Sequence, residues 1–241
     1  SGPIPTVFIA TRGFQTVRSF LNKRHKGKMM VNQPAYDSYD KNLARSDSKR
    51  YGIKVARSLS DMMKVVSIRS AVYISEQDCP YDEEFDGNDF CSTHFIGYIG
   101  NEPAACLRAR FFADFAKLER LAVRHEFRRS RLSFKMVKAG IEFARAKGYQ
   151  RIYGHAQDRL VSFWSTFGAR PMASRDKPLV FSDFSYTEML LEADQHPEAI
   201  TLESDPYLLI RPEGKWHETG VLEQSAGRDA TSPLRDMNAK Q

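Results

Sequence analysis

The chain has 241 residues, 41% apolar and 12% aromatic, which suits one sizeable domain with extensions or two small ones and excludes a disordered chain. No uninterrupted apolar run approaches the ~18–20 residues that span a bilayer, and no secretory signal is visible. The net charge of +6 is localised: residues 1–50 carry ten Lys/Arg against three Asp, and the other 191 carry 26 basic and 27 acidic residues. The body is therefore not basic, and the basic arm lacks aromatics interleaved for base stacking, so nucleic-acid binding ranks behind the readings below. Cys79, Cys91 and Cys106 are odd in number and have no metal-ligand spacing, so a reduced cytosolic chain with buried thiols and no metal site is expected.

In chain order, Val7, Ala10, Phe14, Val17 and Leu21 recur at helical spacing with Arg12, Thr16, Ser19 and Lys23 opposite. This pattern suits a basic amphipathic helix on an anionic membrane, or a helix docked on the main domain or a partner. Residues 32–50 are polar and aperiodic and read as a linker. From Gly52 the texture changes. "YGIKVAR" reads as a strand, and "SLSDMMKVVSIRSAVYISEQ" as a helix capped by Ser58 or Ser60. "DCPYDEEFDGNDFCS" is an acidic loop, and "THFIGYIGNEPAACLRARFF" gives two strands joined at Gly100-Asn101. The strand "KLERLAV", a helix from about Leu132, the strand "RIYGHAQ", the helix "DRLVSFWSTFG" and the strand-like "PLVFSDF" and "YTEMLLEA" follow. Strands and helices interleave in a mixed α/β order. Beyond Asp194 one further strand is expected around "DPYLLI", then a Gly/Ser/Asp-rich, partly disordered tail.

The joint after "KLERLAV" is "RHEFRRSR", four arginines in eight residues at the entrance to a helix. A helix N-terminus already attracts anions through its unpaired N–H groups and its dipole. Arginines there suit a phosphate-bearing ligand, whereas an exposed charged turn would explain them without one.

In sequence, "LERLAVRHEFRRSRLSFKMV", "ARAKGYQRIYGHAQ" and "LVSFWSTFGARPM" resemble the strand, pyrophosphate loop and later elements of the GNAT superfamily of acyl-CoA-dependent N-acyltransferases. The front half, "IRSAVYISEQDCPYDEEFDGND" with Glu84, Asp86 and Asp89, is similar to acyl-homoserine-lactone and N-acyl amino acid synthases. The resemblance covers about residues 53–192. With the localised charge and the change of texture at Gly52, this divides the chain into a basic arm and linker over 1–50, an acyltransferase domain over 51–194 and an extension over 195–241. The implied fold is a mixed, mostly antiparallel central sheet flanked by helices, with a splayed strand pair holding the thioester.

In such enzymes the strand before the loop pairs with the pantetheine arm and its N–H groups polarise the thioester carbonyl. The resemblance places that role on Leu121, Ala122 and Val123, an oxyanion-type contribution of about 3–4 kcal/mol per donor. It places the pyrophosphate on Arg128, Arg129, Ser130, Arg131, Leu132 and Ser133, with Phe163 at the donor's edge. Two positions depart from the family: Arg131 stands where a glycine lets the backbone approach phosphate, and Trp164 stands where a tyrosine returns a proton to the thiolate. An indole N–H is no acid, which leaves water, Ser162, Ser165 or Tyr186. Arg131 either turns outward or the donor differs, an acyl carrier protein thioester in place of acyl-CoA. For the base that deprotonates the amine, Glu119, Glu84 and Asp86 are the candidates; each also has a structural reading, as the partner of an arginine or the cap of a turn. His94 and His155 read as structural histidines.

The expected activity is acyl transfer from a thioester to a primary amine, extending to a long-chain acyl group on a lipid amine if residues 1–30 contact a membrane. A small-molecule N-acetyltransferase and a non-catalytic ligand-binding module are the alternatives. The expected location is the cytoplasm, or the inner membrane surface as a peripheral protein.

Overall fold

A computed structural model describes residues 33–173 and 179–225. Among these, eight strands form one sheet in the order β1-β2-β3-β4-β5-β8-β6, with β7 also paired to β8. They are β1 (Tyr51–Val55), β2 (Thr93–Ile99), β3 (Glu102–Phe111), β4 (Ala116–Val123), β5 (Arg151–Gln157), β6 (Arg170–Pro171), β7 (Leu179–Phe181) and β8 (Phe184–Glu192). Every pairing is antiparallel except β4 with β5. The helices are α1 (Lys41–Ser46), α2 (Leu59–Arg69), α3 (Ser75–Gln77), α4 (Tyr81–Glu84), α5 (Leu132–Ala146), α6 (Val161–Ser165), α7 (Pro206–Leu209) and α8 (Val221–Ser225).

The central strands β2 and β3 are buried on both faces, because helices cover each side. On one face α5 contributes Leu132, Met136 and Phe143 to a core with Ile53, Phe95, Leu107 and Leu118. Gly140 lets α5 approach closely: a Cβ there would lie 2.7 Å from Leu107 Cδ2. On the other face α2 packs Val65 and Ile68 onto Ile96, Tyr98, Cys106 and Ala122. Ser58 caps α2, its Oγ accepting from Asp61 N at 3.1 Å. The helix then widens into a π turn over Ser70–Ile74 before α3. Such turns gather at functional sites, and this one carries Tyr73.

Two sequence expectations are corrected. Residues 33–50, expected as a linker, fold onto the body. Tyr36 is buried against Phe143 at 5.1 Å, and Tyr39 stacks on Tyr98 at 3.9 Å. The strand expected after Asp194 is instead the short helix α7, and Trp216 from the extension packs on Phe143 at 5.1 Å. Buried Asp37 joins the two segments through Lys215 Nζ at 2.6 Å, Arg57 Nη2 at 3.2 Å and His217 Nε2 at 3.3 Å. With His217 and Glu218 it could also present three metal-ligand atoms, but Lys215 and Arg57 already supply cations there. Cys79 and Cys106 are buried free thiols as expected, whereas Cys91 is exposed. The amphipathic pattern of Val7 to Leu21 lies outside the described residues.

Candidate active site

The parallel pair β4/β5 is in register only at Ala116↔Ile152 and Lys117↔Tyr153. Beyond it the two strands diverge. The cause on β4 is a register shift opposite Cys106–Arg108, where Arg120 adopts a left-handed φ of 53°. That conformation costs a non-glycine residue about 1–2 kcal/mol. Arg120 is held in it by Glu84 at 3.1 Å, Asp86 at 3.3 Å and the Glu83 carbonyl at 2.6 Å. Strain of this kind marks functional sites when the surroundings enforce it.

The backbone polarity of β4 follows from its pairing. Arg124 N donates to Ala104 O, and Cys106 lies opposite Ala122, so alternation turns the Ala122 N–H toward β3. Ala122 is therefore removed from the expected donor-binding backbone. The N–H groups of Leu121 and Val123 point the other way, into the opening. The carbonyls of these two residues are already engaged: Leu121 O accepts from Tyr73 Oη at 2.8 Å and Val123 O from Arg128 Nε at 3.2 Å. The opening thus offers two backbone hydrogen-bond donors whose own carbonyls are engaged elsewhere.

A cleft of about 430 Å³ occupies the opening. One wall is apolar, formed by Leu121, Leu160, Phe163, Trp164, Leu179 and Phe181. The floor is charged, with Asp86, Lys117, Glu119, Arg120 and Arg159. The roof is the β7–β8 hairpin, whose two-residue turn Ser182–Asp183 has positive φ at both positions. Glu83 accepts from Ser182 N at 2.9 Å and from its hydroxyl at 2.8 Å, pinning this turn.

Beneath the floor lies an ionic network. Arg108, fully buried, meets Asp86 at 2.6 Å, Asp89 at 2.9 Å and Glu119 at 2.9 Å. Arg69, equally buried, binds Glu84 and reaches Asp89 at 2.5 Å. This arrangement corrects the expectation for Glu84: it is 1% exposed, enclosed by Arg69 and Arg120, and does not line the cleft. Its charge pairs the buried Arg69 and the half-buried Arg120. Asp86 and Glu119 do line the cleft. Burial opposes the charge on Asp86, but the Arg108 bonds prevail and hold its carboxyl well below the usual range. Glu119 is likewise lowered: burial opposes its charge, and Arg108 with Lys117, at 2.7 Å, outweighs it. Carboxylates held ionised in this way are weak proton acceptors.

The arginine loop folds as a 3-10 turn over His125–Ser130 leading into α5. Arg131 sits at φ 61°, ψ 16°, the conformation a glycine would supply, and its side chain is exposed. Leu132 is buried in the core, so only its backbone faces the loop; its N–H donates to Ser130 Oγ at 3.3 Å. Ser133 lies in the first turn of α5. The Arg128 guanidinium turns back to Glu76 and Val123 O. Arg129 and Arg131 are exposed and have no ion-pair partner among the described residues.

The sequence reading missed several cleft residues. Tyr73 and Gln157 line it, and so does His155, assigned above to a structural role. His155 Nε2 is 2.6 Å from Tyr153 Oη, which donates to Glu188. Strand alternation alone could have placed His155 and Gln157 on a common face of β5.

A splayed strand pair, a strained bulge and an arginine-flanked helix N-terminus thus stand in one chain. Residues 62–169 match the model of the acetyltransferase (GNAT) family. YyaT of Bacillus subtilis is 30% identical over 120 residues, 48% of this chain and 80% of that protein. The chain belongs to the GNAT acetyltransferase family. A second Bacillus subtilis relative, named a putative acetyltransferase, is 29% identical over 121 residues, 49% of this chain and 82% of its own length. A putative N-acetyltransferase from Lactobacillus plantarum shares the fold with a TM-score of 0.55 at 21% identity, covering 59% of this chain and 97% of that one. As a GNAT member the chain is an acyltransferase, and the family's co-substrate is an acyl-CoA thioester. The residues present fit such a donor, since the open N–H groups of Leu121 and Val123 lead toward Arg129, Arg131 and the start of α5.

Proposed function

We propose that the chain moves an acyl group from a CoA thioester to a primary amine by direct attack within a ternary complex. The observation that carries this reading is the β4 edge, where two N–H groups face the cleft while their own carbonyls are bonded elsewhere. The Leu121 and Val123 N–H groups would bind the pantetheine and polarise the thioester carbonyl. The α5 N-terminus, with Arg129 and Arg131, would take the phosphates.

The apolar wall of the cleft supports an acyl group longer than acetyl, and the basic residues of 1–30 support a lipid amine met at an anionic membrane surface. Basic residues contribute about 1 kcal/mol each near such a surface. The contact proposed is peripheral; among the described residues no helix is long and apolar enough to cross a membrane. An acyl carrier protein is the second donor reading, favoured by the exposed Arg129 and Arg131, without ion-pair partners among the described residues, which suit an acidic protein as well as a nucleotide.

The test is thiol release from acetyl-, octanoyl- and palmitoyl-CoA against a panel of primary amines that includes a long-chain base. Release that rises with chain length supports the reading, and CoA binding without release would leave a non-catalytic module. For the membrane contact, the full chain should pellet with anionic liposomes and a chain lacking residues 1–30 should not. Equal, negligible pelleting would remove the lipid acceptor.

A further inference from the structure

The acyl-transfer reading leaves a thiolate to be protonated, and Trp164 cannot do it. The hydroxyls near the cleft differ in where their protons go. Tyr73 spends its proton on Leu121 O at 2.8 Å, and Tyr153 donates to Glu188. Ser165 donates to Val161 O at 3.0 Å, and Ser162 is exposed outside the cleft lining. Tyr186 is different. It lines the cleft from β8, directly across from Gln157 on β5, and its oxygen accepts from Gln157 Nε2 at 3.2 Å. No described residue accepts the Tyr186 hydroxyl proton. The ring is fixed by stacking on Phe181 at 3.7 Å, in the hairpin that Glu83 pins through Ser182.

We propose that Tyr186, from the β7–β8 hairpin, is the acid that protonates the leaving thiolate in this chain, replacing a donor on α6. The inference rests on the acyl-transfer reading above. In the step, the amine nitrogen forms a bond to the thioester carbon and the C–S bond breaks with its electron pair on sulfur. The Tyr186 hydroxyl proton passes to sulfur, the new amide nitrogen loses its extra proton to water, and the phenolate recovers one from water. Burial pushes Tyr186 up, with the Gln157 bond opposing, so the phenol keeps its proton at neutral pH and has one to give.

The experiment compares the full-length chain with Y186F, using hydroxylamine as the amine so that acceptor recognition does not enter. With octanoyl-CoA, whose alkyl thiolate needs a proton to leave, the variant should fall by about 10²-fold or more in kcat, the usual share of a positioned acid. With S-phenyl thiooctanoate, whose thiolate leaves unprotonated, the two proteins should agree. A merely structural role for Tyr186 would slow both donors alike, and that result, or an unchanged rate on octanoyl-CoA, would overturn the inference while leaving acyl transfer standing. Thiol release by the unaltered chain no faster than the uncatalysed reaction of hydroxylamine with both donors would overturn acyl transfer itself, and the role of Tyr186 with it.

Discussion

Arg108→Met tests whether the ionic network under the cleft holds the site together. Arg108 is fully buried and bonded to three carboxylates, and methionine fills similar space without charge. Each carboxylate would keep at least one cation: Asp86 retains Arg120 at 3.3 Å, Asp89 retains Arg69 at 2.5 Å, and Glu119 retains Lys117 at 2.7 Å and Arg110 at 4.0 Å. Breaking a buried pair on one side costs about 3–5 kcal/mol, and the remaining partners place this variant toward the lower figure. The penalty should also depend on pH. In the native chain Asp86, Asp89 and Glu119 are depressed: burial opposes their charge, and arginine contacts outweigh it. Their stabilisation is therefore complete above the unfolded values of about 4 and is lost as pH falls through the lower folded values. Without Arg108 burial gains weight and the carboxyls take protons at higher pH. The difference between the two proteins should then shrink as pH falls from neutrality toward 4. Urea unfolding at steps between pH 7 and pH 4 measures it. A penalty below about 1 kcal/mol at pH 7, or one that does not change with pH, would refute the reasoning.

Replacing Arg129 and Arg131 with alanine should raise the KM for acyl-CoA with little change in thermal midpoint. Each charge-assisted hydrogen bond to a phosphate is worth about 1.5–3 kcal/mol, and an unchanged KM would remove the loop from the donor site. Trp164→Phe should keep substantial turnover, because the indole supplies packing beside Phe163 and Phe167 and no acid. A well-folded Phe variant without activity would show otherwise.

What the sequence displayed and what it concealed follow from chain distance. The strand, arginine loop and helix were legible because they are contiguous, and local periodicity reports contiguous elements. Residues 33–50 were read as a linker because they pack rings singly, buried Tyr36 and half-buried Tyr39, from a three-residue turn and its flank. No period arises from one buried ring. The acidic cluster was visible, but its meaning lay in Arg69 and Arg108, 15 and 22 residues from Glu84 and Asp86, and pairing at that range leaves no local pattern. The roles within the β4 run were equally hidden. Ala122 and its neighbours are alike in composition, and the Arg124–Ala104 hydrogen bond with the Cys106–Ala122 pairing shows which N–H groups face the cleft.

The same network bears on how the amine loses its proton. Glu119 and Asp86 line the cleft, yet both carboxyls are held below the ordinary range, so neither changes charge near neutrality. A rate that rises between pH 6 and pH 9 must then report another group, and the acceptor amine is one that must become neutral before it attacks. The cleft cations Lys117, Arg120 and Arg159 are matched by the carboxylates of Glu83, Asp86 and Glu119, so the lining carries no net charge to displace the amine's own equilibrium. The expected kcat/KM therefore climbs with pH and keeps its midpoint when Glu119 is replaced by Gln, while its plateau falls because Lys117 and Arg108 lose a partner. The midpoint should move instead when the acceptor is exchanged for an amine of lower pKa. A midpoint that follows Glu119 and ignores the amine would return the carboxylate to the role of base.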